Sequence, residues 1–268
     1  FKGTSITKLI IEGSESGVSI KGAGANTNGA FASLETLTTV VGRNIKEVGW
    51  GAFYGCSNLV AIDLSGSPNL NQPATTYYQS PFKEIANNSI IYLNNSANSL
   101  TTYHYDTSKT SIAYTNGGTF AEDTVFTAGS LAAPVKEGAI FAGWYADSSF
   151  SGSPVTSTTA GQTYYAKWID LGIMDISLQY QGTQTVNTPD GVTFSNWQSE
   201  NSDIAAVAEG TITAKNVGET TITATATYGE YTAKVSIPVE VTARELTYTL
   251  AGGDTAVSYT HLRAHETG

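Results

Sequence analysis

Three histidines, one cysteine and four tryptophans carry the most specific chemistry in this 268-residue chain. His261 and His265 stand four apart with Glu266 beside them, a spacing that sets two zinc ligands on one helix face. No third ligand follows at a workable distance, so no metal site is expected. His104 lies between Tyr103 and Asp106, which suggests a Ser–His–Asp arrangement. Yet no G-x-S-x-G elbow occurs anywhere, and His104 reads as a hydrogen-bonded residue of a cap. Gly22-Ala-Gly24 begins like a dinucleotide fingerprint, but Thr27 holds the third glycine place and no helical pattern follows. A glycine-rich turn explains it better. The residues predict no catalytic group, no cofactor and no metal.

Composition says what must position them. Hydrophobic residues make up 40% of the chain and charged ones 13%, with 27 Gly and 15 Tyr. Ser, Thr and Asn fill much of the rest, a mixture that suits short strands joined by polar turns. The fold class expected is mainly β and multidomain. Acidic residues outnumber basic ones 23 to 13, for a net charge of −10. Such a surface repels a phosphate backbone, so nucleic acid is not an expected partner. No stretch approaches the roughly 18 apolar residues of a membrane span.

An internal repeat organises the first third. Ala30-Phe31, Leu34, Leu37 and Val40 recur as Ala52-Phe53, Cys56, Leu59 and Ile62, each pair 22 residues apart. That period predicts stacked units, each adding one short strand to a parallel sheet, with Gly49, Gly51 and Gly55 in the tight bends. The clearest unit, Ile45 to Leu64, closely resembles the leucine-rich repeats of the BspA-like bacterial surface family, I-x-x-I-G-x-x-A-F-x-x-C-x-x-L-x-x-I-x-L. Val48 takes the second Ile place, and a degenerate third unit starts at Pro81-Phe82 and ends in Ile90–Leu93. Cys56 fills the apolar Cys place and reads as a buried small hydrophobe. Trp50 falls on a variable place and is the candidate binding residue.

Two further modules follow. Pro134-Val-Lys136-Glu-Gly138-Ala-Ile-Phe141-Ala-Gly143-Trp144-Tyr145, then Tyr165-Ala-Lys-Trp168, resembles the internalin-type B repeat, a small β-grasp-like fold. Its front half is shorter than the family's, and its first strand is missing. Phe141, Trp144 and Trp168 are expected to build a small core. Strands are legible at 176–180, 192–194, 211–214, 220–227 and 231–241. Phe194-x-x-Trp197, Ile204-Ala205-x-Val207, Gly210-x-Ile212-Thr-Ala214 and Gly218-x-x-Thr221-Ile-Thr-Ala224 resemble the bacterial group 2 immunoglobulin-like domain. The resemblance implies a β-sandwich.

Leu246–Leu250 reads as the first strand of a further module. Residues 257–267 resemble the translation of a sequencing adapter and are expected to have no evolved role. The expected division is 1–118 (leucine-rich repeats with a cap), 119–169 (B repeat), 170–242 (immunoglobulin-like domain), 243–256 (the start of a truncated module) and 257–268 (adapter). The resemblances imply a secreted or cell-surface bacterial protein that is not an enzyme. It would bind a host or neighbouring-cell protein or glycan through its repeats, with the β modules as spacers. The rivals are an accessory region of a large secreted hydrolase and a purely structural stalk.

Overall fold

The computed structural model describes residues 5–22, 29–71, 80–98, 100, 103–249 and 255–259. The chain is mainly β, and the helix among the described residues is one short 3-10 turn, Ser96–Asn98. It divides into two compact units: Phe1–Glu137 with Phe141–Trp168, and Gly138–Ile140 with Ile169–Gly268.

The first unit holds strands β1 (Lys8–Glu12), β2 (Val18–Ile20), β3 (Thr39–Arg43), β4 (Ile45–Val48), β5 (Ala61–Leu64), β6 (Ser89–Leu93) and β7 (Thr110–Tyr114), with most of β8 (Ala139–Tyr145) and β9 (Thr163–Asp170). One seven-stranded sheet runs in the order β1-β3-β5-β6-β7-β9-β8, while β2 and β4 form a parallel pair of their own. Leu9, Val40, Ile62, Ile91 and Ile112 are register neighbours across the parallel part, and all five belong to one apolar core. The 22-residue offset read from the sequence is the register itself, since Val40 pairs with Ile62.

The turns between strands stack as the strands do. Phe53 lies between Phe31 (centroids 5.4 Å apart, rings 10° from parallel) and Phe82 (5.9 Å, 6°). Backbone bonds tie each turn to the next, Phe31 N–H to Ala52 O, Phe53 N–H to Pro81 O and Phe82 N–H to His104 O. Gly51 and Gly55 have φ of 60° and 73°, a region glycine enters at little cost, and Ser33 (55°) and Glu84 (56°) hold the place of Gly55 in the turns of Phe31 and Phe82. Gly22 answers to close approach instead, because a Cβ there would stand 2.1 Å from the Trp50 nitrogen.

The sheet does not stop at 118. β7 pairs in parallel with β9, Ile112 with Thr163 and Tyr114 with Tyr165. The segment that lacked a first strand in the sequence thus has β7 along that edge. A boundary at 118/119 is therefore no break in the structure. The expected aromatic cluster forms, with Phe141 5.7 Å from Trp144 and 5.6 Å from Trp168. None of the three belongs to the core that takes in Trp197, and Trp144 also meets Tyr92 of β6 at 6.2 Å.

The second unit holds β10 (Ile176–Gln179), β11 (Thr183–Thr185), β12 (Thr193–Ser199), β13 (Ala205–Ala208), β14 (Thr211–Ala214), β15 (Gly218–Tyr228) and β16 (Tyr231–Thr242). Sheets β10-β16-β15-β12 and β11-β14-β13 close on one core that includes Leu178, Ile212, Ile222 and Ile237. Alternation places these residues inward, as in the β16 pattern from Tyr231 to Thr242. Trp197 is half-buried against this core and lies 5.4 Å from Phe194. Beyond it, β17 (Glu245–Thr249) pairs with β18 (Thr255–Tyr259). The strand expected near Leu246 is present, and its partner crosses the 256/257 boundary into the segment read as adapter. A two-stranded hairpin of this kind is marginally stable by itself.

Candidate functional site

Side chains alternate along each strand, so the parallel sheet has a second row opposite the core. Ile10, Val41, Asp63, Tyr92, Ala113 and Tyr164 are register neighbours in that row. Ile10 is 41% exposed, yet Val41, Asp63 and Tyr92 are buried. Strands β3, β5 and β6 are thus buried on both faces, and what covers the second face is a stretch of the chain itself.

That stretch, residues 120–133, is an arm without helix or named strand. Phe120 meets Tyr92 edge-on at 4.7 Å, and Phe126 lies 5.3 Å from the same ring. The Ala132 N–H donates to Tyr92 Oη at 3.1 Å, and the Trp144 indole N–H donates to Ala132 O at 2.9 Å. At the other end Lys8 Nζ donates to Glu122 O at 2.8 Å.

Beneath the arm sits Asp63, 5% exposed. Its Oδ1 accepts from Ser65 N–H at 2.9 Å and Ser65 Oγ at 2.6 Å. Burial pushes its carboxyl above the usual carboxylate range, and the Ser65 bonds with the Arg43 and Lys8 charges only partly oppose this. The Arg43 guanidinium is engaged with Glu12 one strand away. The sequence reading missed both Asp63 and Tyr92. The signal was available: Ile90-Ile-Tyr-Leu93 is a continuous apolar run, the mark of a strand covered on both faces.

The residues singled out from sequence do not converge. Trp50 is half-buried in the turn after β4. His104 is fully buried in the turn column, its carbonyl bonded to Phe82 at the slot that Ala52 and Pro81 hold in earlier turns. The nearby Asp106 carboxylate accepts from Ser108 N–H and Oγ and faces Lys109 at 3.8 Å. His261 and His265 lie outside the described residues. Among the described residues, no group of three His, Cys, Asp or Glu could hold a metal ion, and no helix is long and apolar enough to cross a membrane.

Cys56 is buried, and its thiol donates to Phe31 O at 3.0 Å. Burial raises its pKa, which keeps it a thiol at neutral pH. An aromatic disulfide reagent is expected to leave Cys56 unmodified in the folded chain and to label it fully in denaturant. Rapid labelling of the native protein would contradict this placement.

In the second unit a groove of about 530 Å³ is walled by Asp175, Glu200, Glu219 and Glu240, with Thr220 and Pro238. Four like charges gather there with no basic side chain in the lining. No protein-family model matches the chain, and no curated protein or solved structure matches it. The family resemblances rest on the residues that carry them.

Proposed function

We propose that the chain belongs to a bacterial surface or secreted protein of adhesion or ligand display, and that it is not an enzyme. The stacked strands and turns are read as leucine-rich repeats of the BspA-like kind. Residues 119–169 are read as an internalin-type B repeat, and 170–242 as an immunoglobulin-like sandwich that serves as a spacer. One observation supports this above others: the column Phe31–Phe53–Phe82, in which equivalent turns lie one above the next. Repeated turns stacked in this way form a continuous surface, the usual binding platform of repeat proteins.

The arm already occupies the sheet face from Val41 to Tyr92, so the contact with a protein or glycan is assigned to the turn side. There Trp50 and Tyr54 are half-buried and Tyr103 is 48% exposed. Aromatic planes with one wet edge suit such contacts. The test is a screen of the full chain against glycans and host-surface proteins. A specific ligand is expected, and Trp50→Ala should weaken it about tenfold or more. The absence of any ligand in both screens would favour a purely structural stalk.

A further inference from the structure

We propose that residues 120–133 are a reversible strap over the outward row of the parallel sheet, closing at low pH and loosening as Asp63 ionises. This does not depend on the adhesive reading, because it concerns the strap's own equilibrium.

The geometry points to a cover that can lift. A core strand is held by a full ladder and by packing on both sides. The strap instead rests on two aromatic rings and a few hydrogen bonds, and most of its residues face water, Val125 to 83%. Segments with few buried contacts open at a small fraction of the global unfolding cost. Under it lies a cavity of about 10 Å³, lined by Lys8, Arg43, Asp63, Phe120, Glu122 and Phe126. That is the lower limit of space for one water. Closure therefore leaves Asp63 almost dry, with Ser65 as its hydrogen-bonding partner.

The charges around Asp63 set the sign. Lys8 on β1 and Arg43 on β3 favour its ionised form, Tyr92 is its register neighbour on β6, and Glu122 on the strap lines the same cavity. Desolvation is the largest effect and disfavours the anion. The closed state thus holds a proton that the open state, with Asp63 hydrated, releases. Closing is strongest below the ordinary carboxylate pKa. It weakens as pH rises through the raised value, and above that the loss is complete.

Amide hydrogen exchange on the full chain tests this. Gly129 N–H bonds to Asn88 O and Ala132 N–H to Tyr92 Oη, whereas Ile90 N–H lies in the sheet, bonded to Val60 O. Gly129 and Ala132 are expected to exchange at least about tenfold faster than Ile90. After correction for intrinsic base catalysis, their opening should grow as pH rises above the ordinary carboxylate value of about 4. Asp63→Asn should abolish that growth and raise strap protection at neutral pH. Tyr92→Phe keeps the ring but removes its hydroxyl, and should speed Ala132 about tenfold while Ile90 is unchanged. The proposal is overturned if strap and Ile90 amides exchange together in the wild type. It is also overturned if the pH dependence survives in Asp63→Asn.

Discussion

Leu59→Asp is expected to cost the first unit roughly 4 kcal/mol or more, the penalty for an unpaired charge in an apolar core. Leu59 is fully buried, and its backbone N–H closes the turn on Cys56 O at 2.9 Å. The site belongs to the core that takes in Leu37, Phe53 and Ile62, so a carboxylate there finds no water and no cation. For a unit of this size the melting temperature should fall by about 8–16 °C. A buried carboxyl titrates high, so the loss should be smaller near pH 5 than at pH 7. Thermal denaturation followed by circular dichroism at both pH values reads this directly. A shift under about 2 °C would mean that Leu59 is not a core residue.

Ile237→Asp is expected to have an effect of the same size in the second unit. Ile237 sits in mid-β16, buried at 1%, opposite the fully buried Ile222 of β15. A charge there separates two sheets that share one core, and a loss of roughly 4 kcal/mol is a large part of an ordinary domain's 5–15 kcal/mol. Because the two cores are distinct, the variant should lose one thermal transition and keep the other. Limited proteolysis should remove residues beyond about 170 and spare the stacked strands. Simultaneous loss of both transitions would show a single cooperative body.

Much of this was legible from local pattern. Val40 and Ile62, 22 apart in the chain, became register neighbours because the two turns repeat the same apolar places, whereas Ile62 and Ile91 pair across a longer connection that the period did not predict. Thr211–Ala214 was read with correct bounds, since Thr-Ile-Thr-Ala alternates without interruption. Where a strand bends, alternation misleads: 192–194 was read as a short strand, whereas β12 continues to Ser199 through an irregularity between Ser195 and Gln198. Asn196, at φ 55°, takes the bend. The join of β7 to β9 had no sequence signature, because pairing between segments some fifty residues apart depends on edges rather than on composition. The cover over Asp63 was hidden for a related reason. Thr124-Val-Phe-Thr resembles any exposed loop until Tyr92 is placed beneath Phe126. Trp50, chosen because its place in the repeat is variable, proved half-buried, which position in a repeat could not specify.

The pairing of β10 with β16 has a mechanical consequence. These strands open and close the two-sheet unit, and they run parallel, Ile176 beside Val239 and Gln179 beside Thr242. Tension entering at Ile176 and leaving at Thr242 acts along the ladder, from its two opposite ends. Every hydrogen bond of the pair is then loaded at once in shear, and none can be peeled in turn. The unit would thus resist stretching along the chain better than a hairpin such as β17–β18, whose two ends lie together and unzip bond by bond. Under such a load the unit is clasped where the strain arrives.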